Sequence, residues 1–155
     1  MTDQLTIASD SPLRTRQIGS AIGAALIRGD VVVLSGDLGA GKTTLTQGIA
    51  RGLGIDEQVT SPTFVVAREM AAGDPGIALL HVDAYRIASL EEWDDLDVDL
   101  QAHATVVEWG EQVSDALPAD RVNVHLHGSD DSREISLQAT GPRSSRVLAA
   151  VQEAQ

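Results

Sequence analysis

The chain has 155 residues, 43% hydrophobic and 22% charged, which suits one globular domain with its own core and argues against wholesale disorder. It has no cysteine, so disulfides and thiolate metal centres are excluded. Acids outnumber bases by 23 to 11, for a net charge of −12. With no basic stripe, a polyanion would need a local exception or a partner protein to hold it. The opening stretch MTDQLTIASDSPLR lacks the basic and apolar blocks of a secretory signal. No apolar run approaches the ~18 residues of a membrane span. The expectation is a cytoplasmic protein with no membrane association.

In chain order, QLTIAS (4–9) alternates like a short strand. Residues 11–29 predict a helix, with Ser11 at the cap, Pro12 in the first turn, and Ile18, Ile22, Ala25 and Leu26 on one face. DVVVLSG (30–36) is a continuous apolar run, the pattern of a parallel strand covered on both faces. Residues 42–55 predict the next helix, ending near Gly52 or Gly54. TFVVAREM and GIALLHVD, separated by AAGDPG, predict a hairpin. Residues 89–101 are acidic and helical or irregular, and the acids from Glu91 to Asp99 form a solvated face. ATVVE (104–108) is a further buried-type strand, followed by a short helix near 110–117. RVNVHLHG and SREISLQA predict a second hairpin around SDD, and the GPRSSRVLAAVQEA stretch predicts a closing helix. The sum is one α/β domain over 1–155, with a mainly parallel sheet carrying antiparallel hairpin additions.

Ten of the eleven basic residues are arginine, and the single lysine, Lys42, lies in GDLGAGKTTL (36–45). Gly36 to Thr43 match the phosphate-loop pattern G-x-x-x-x-G-K-[ST], between a predicted strand and a predicted helix, as the pattern requires. Gly36, Gly39 and Gly41 can take backbone angles closed to other residues, so that amides approach phosphate oxygens. Those amides and the following helix N-terminus make a nest of partial positive charge. Lys42 supplies a compact ammonium for the slot between β- and γ-phosphate, which a broad guanidinium does not suit. Thr43 can place its hydroxyl on Mg²⁺. The candidate nucleotide-binding set is Leu38, Gly39, Ala40, Gly41, Lys42, Thr43 and Thr44. The guanine-reading N-K-x-D loop needs a second lysine, so ATP is favoured over GTP.

An enzyme with this loop needs an acid at a neighbouring strand end. ALLHVD ends at Asp83 and ATVVE at Glu108, and spacing leaves open which serves the metal and which positions water. VTSPTF (59–64) offers the hydroxyls of Thr60, Ser61 and Thr63 as a switch-like segment that could sense the γ-phosphate. Trp109 follows Glu108, and by residue type alone it reads as core. His81 and His103 stand singly, His125 and His127 alternate on an exposed strand face, and none is assigned to a metal.

GDLGAGKTTL, VTSPTF, HVDAYR and VVEWGE, in this order between residues 36 and 111, resemble the TsaE family, also called YjeE. The resemblance implies a phosphate-loop α/β fold of the three-layer type. It also implies a weak ATPase that uses ATP and Mg²⁺ in the threonylcarbamoyl modification of the tRNA adenosine beside the anticodon. TsaD and TsaB are the implied partners, with tRNA held through them and the ATP cycle resetting their complex. Lys42 and Thr43 keep their roles, Glu108 becomes the Mg²⁺-associated acid and Asp83 the catalytic or water-positioning acid. Trp109 becomes an aromatic near the nucleotide, and Ser11 and Arg133 fall near the adenine. The sequence departs from the family pattern at Val82, Ala84 and Arg68 to Met70. The rival reading, a small-molecule kinase, needs an Arg-bearing lid that the scattered arginines do not supply.

Overall fold

The computed structural model describes residues 3–36, 41–56, 58–59, 67–72, 76–129 and 132–155. Seven strands form one sheet: β1 (Gln4–Ser9), β2 (Val31–Gly36), β3 (Ala67–Met70), β4 (Leu79–Asp83), β5 (Ala104–Glu108), β6 (Val122–Ser129) and β7 (Ser132–Ala139), in the order β1-β7-β6-β2-β5-β4-β3. The core β6-β2-β5-β4 is parallel, and the antiparallel partners are β7 and β1 at one edge and β3 at the other. Both expected hairpins, β3–β4 and β6–β7, are present.

The helices are α1 (Pro12–Ala25), α2 (Lys42–Gly52), α3 (Leu90–Asp95) and α4 (Pro142–Glu153), with a 3₁₀ helix over Gly110–Ala116. The long apolar runs have their cause here: β2, β4 and β5 are covered on both faces. One core joins Val32, Leu34, Val106 and Val124 to Ile18, Ile22, Leu45, Ile49 and Leu148 of α1, α2 and α4. The other packs Val31, Val33, Val82 and Val107 under Trp93 of α3 and Val113 of the 3₁₀ helix. No described helix is long and apolar enough to cross a membrane.

One helix end differs from expectation, and another falls at the first of its two expected positions. α1 stops at Ala25 rather than Gly29, because the Asp30 carboxylate accepts the Ile27 amide at 2.8 Å and Leu26 turns extended into the core. α2 stops at Gly52, where the amides of Gly54 and Ile55 close back on the carbonyls of Arg51 and Ala50. α1 and α2 cross in backbone contact: a Cβ on Gly48 would stand 2.2 Å from the Arg16 carbonyl oxygen, and one on Gly52 2.2 Å from that of Ser20. Small residues at this crossing fix α2, and with it whatever its first turn carries.

Candidate nucleotide site at the head of the second helix

The parallel register sets the tips of β2, β5 and β4 side by side: Leu34 pairs with Glu108, and Glu108 with Asp83. Lys42, in the first turn of α2, reaches the end of β2 through the Gly36 carbonyl, and Glu108 and Asp83 end the next two strands. This is the crevice at the carboxyl ends of the strands, where open α/β sheets bind ligands.

Gly41 is the N-cap of α2 at φ +102, a left-handed angle that a side chain would strain. The N-cap of α2, Gly41, has no side chain to cap the helix. Its first amides therefore lack the usual local acceptor and suit an anion. The Lys42 ammonium donates to the Gly36 carbonyl at 2.7 Å and lies 4.4 Å from the Trp109 ring centroid. Lys42 is 7% exposed, so little water competes for its charge. Trp109 holds this position in the left-handed region (φ +61), and Tyr85 meets its ring edge-on at 5.3 Å. Trp109 is thus half-buried over the lysine rather than a core residue.

Glu108 is buried, and its Oε2 lies 2.6 Å from His81 Nε2, also buried. A carboxylate can only accept, so the imidazole N–H donates. Glu108 Oε1 has no described hydrogen-bond partner. Asp83 accepts the Tyr85 amide at 3.0 Å through Oδ1, which fixes the carboxylate at the strand tip. Thr43 and Thr44 are half-buried in the first turn of α2. Thr43 and Glu108 offer hard oxygen donors of the kind Mg²⁺ takes, and with the uncapped helix head they fit a Mg²⁺-nucleotide.

Arg133 of β7 lies against the loop end: a Cβ on Gly41 would be 3.2 Å from its Nε. Ser9 pairs with Arg133 across β1 and β7, which brings Ser11 to the same end of the sheet. There Ser11 caps α1, accepting the Arg14 amide at 3.1 Å. Leu38, Gly39 and Ala40 of the loop, and Thr60, Ser61 and Thr63 of the switch-like segment, lie outside the described residues.

His81 belongs to this cluster, although the sequence shows it only as a single histidine. Its partner is 27 positions away, and only the β4–β5 register brings the two together. The available signal was its place two residues before Asp83, on the same face of the strand. His125 and His127 are exposed as expected, with rings 4.0 Å apart and Ser35 Oγ 2.8 Å from His125 Nδ1. Among the described residues no group of three or more His, Cys, Asp or Glu side chains could hold a metal.

The fold is that of a phosphate-loop nucleoside triphosphatase, a sheet with a parallel core between two helical layers and the loop leaving β2. Residues 9–135 match the family described as Threonylcarbamoyl adenosine biosynthesis protein TsaE, and the chain belongs to that family. It is 43% identical over 136 residues to the protein named tRNA threonylcarbamoyladenosine biosynthesis protein TsaE of Streptomyces coelicolor, covering 83% of this chain and 92% of that one. The Bacillus subtilis protein of the same name is 40% identical over 144 residues, 90% of this chain and 89% of its own. The crystal structure of Bacillus subtilis YdiB superposes with a TM-score of 0.78 at 33% identity, covering 99% of this chain and 97% of that one.

Proposed function

We propose that this chain is a Mg²⁺-dependent ATPase serving the threonylcarbamoyl modification of the tRNA adenosine beside the anticodon. In this reading it acts with TsaD and TsaB and drives or resets their cycle. Membership in the TsaE family supports the pathway. What supports the ATPase reading is that Lys42, at the head of α2, reaches the end of β2, while Glu108 and Asp83 end the next two strands of the sheet.

Lys42 gives up the Gly36 carbonyl to place its ammonium between β- and γ-phosphate. The first amides of α2 donate to the phosphate oxygens, and Arg133 and Ser11 border the nucleoside end. Thr43 and the unpartnered oxygen of Glu108 would hold Mg²⁺, which when bound neutralises charge on the outer phosphates. Asp83, its carboxylate fixed by the Tyr85 amide, positions water for in-line attack. The net charge of −12 suits a protein that reaches tRNA through its partners.

Steady-state ATP hydrolysis, measured alone and with the purified TsaB–TsaD pair, tests this. Slow turnover is expected alone, with acceleration by the pair and loss of both in Lys42→Ala. Indifference to the pair, with phosphate passed to a small metabolite, would establish a kinase instead.

A further inference from the structure

The chain's ten arginines are not equally committed. Arg14, Arg28, Arg121, Arg143 and Arg146 donate to named acceptors, and Arg68 and Arg133 are also engaged. The side chains of Arg16, Arg51 and Arg86 make no hydrogen bond or ion pair with any described residue. Two of these three, Arg16 and Arg51, border a single cleft of about 400 Å³ between α1, α2 and the segment leaving α2.

We propose that this cleft is a docking site for the carboxylates of an acidic segment on a partner protein. Both arginines are exposed, and their helices cross in backbone contact at Gly48 and Arg16, so the two guanidinium groups rise from a fixed platform. The Gln47 amide donates to the Val59 carbonyl at 3.3 Å, which ties the wall of the cleft to α2. Asp56, also in the lining, offsets one of the two positive charges, and Gln58 adds a neutral amide. A local site of this size suits one or two carboxylates, which guanidinium forks bind bidentately.

A nucleic-acid backbone fits it poorly. Two phosphate contacts would release few counterions, with a salt slope of only about −1.8. Arg51 lies at the far end of α2 from Lys42, about 14 Å along the helix at ~1.5 Å per residue. The cleft is therefore separate from the nucleotide site yet joined to it by one rigid element. The partner's identity alone rests on the function proposed above.

Two measurements on the full chain test it. In the first, the arginine Nε–H resonances are followed by NMR as hexaglutamate, inorganic phosphate or a short RNA hairpin is added. Arg16 and Arg51 should shift with hexaglutamate at lower concentration than with either phosphate source. Equal or stronger response to the RNA hairpin or to phosphate overturns the carboxylate assignment. In the second, the Arg16→Ala/Arg51→Ala variant is compared with the parent for binding to the TsaB–TsaD pair. A loss of affinity of about 100-fold is expected, with ATP affinity unchanged. Equal binding by both proteins removes the cleft from the interface and leaves the partner reading intact. If the parent does not bind the pair while hexaglutamate still selects the two arginines, the partner reading falls and the cleft stands.

Discussion

His81 and Asp83 lie on one face of β4, because strand side chains alternate, and Glu108 lies beside them on β5. The buried His81–Glu108 contact fixes one carboxylate oxygen, and in the proposed function the other holds Mg²⁺. Partners of this kind around metal-binding carboxylates typically matter by about 10–100-fold in metal affinity or activity. His81→Asn is therefore expected to raise the Mg²⁺ concentration for half-maximal binding of a fluorescent ATP analogue by about that factor. Metal-free nucleotide affinity should change little. An unchanged Mg²⁺ requirement would make the pair purely structural. At this scale Lys42 was legible from motif and context, and the two acids from their places at the ends of apolar runs. His81 was not, since no local pattern reveals a partner that only strand register supplies. The position of Trp109 over Lys42 was also hidden, because it depends on a left-handed backbone angle at a non-glycine residue.

Secondary-structure elements were legible where the apolar pattern was long, and their ends were not where a distant side chain sets them. β1 matches its expected span, whereas α1 is cut short by Asp30. The acids between Glu91 and Asp99 are exposed as expected, and the buried Trp93 anchors their helix on the core. The head of α4 shows long-range control most clearly. Asp120, 23 positions before Arg143, accepts the amides of Arg143 and Ser144 at 2.8 and 2.9 Å and the Ser144 hydroxyl at 2.6 Å. Burial acts to raise the Asp120 pKa, but the Ser144 and Arg143 hydrogen bonds and the Arg143 charge outweigh it and hold the carboxyl below its ordinary 3.8. The folded state then binds this proton less readily than the unfolded chain. Its stabilisation is complete above 3.8 and is lost as pH falls through the lower, folded value. Urea unfolding of the parent and Asp120→Asn between about pH 6 and pH 3 should show a stability gap that narrows at the acid end. A gap independent of pH would mean that the carboxylate charge contributes nothing to this cap.

For the molecule as a whole, the parallel core and the two hairpins were legible from buried-type runs and turn signals, but the strand order was not. Nothing local indicates that β2 lies between β5 and β6, or that the two edges of the sheet close differently. Nor did the sequence indicate how α4 is fastened to the rest. Asp30, with a side chain 3% exposed, accepts Arg143 at 3.1 Å, Arg146 at 2.8 Å and the Ile27 amide at 2.8 Å. One carboxylate thus joins the last helix to the turn that ends α1 and starts β2, the strand leading to the phosphate loop. Breaking a fully buried ion pair costs about 3–5 kcal/mol. Here both arginines are roughly two-fifths exposed and can turn to water, which lowers that cost. The Ile27 amide, by contrast, loses its acceptor, at about 1–3 kcal/mol. Asp30→Ala is therefore expected to lose about 3 kcal/mol in urea unfolding. Arg143→Gln and Arg146→Gln should each lose about 1 kcal/mol, because one arginine and the Ile27 bond remain. Hydrogen exchange then separates two ways of losing that stability. If the clamp only fastens α4, its amides alone should lose protection in Asp30→Ala. Simultaneous loss in α1 and β2 would place Asp30 in the cooperative unit that carries the candidate nucleotide site, and this is the expected result, since the Ile27 bond belongs to the α1–β2 turn.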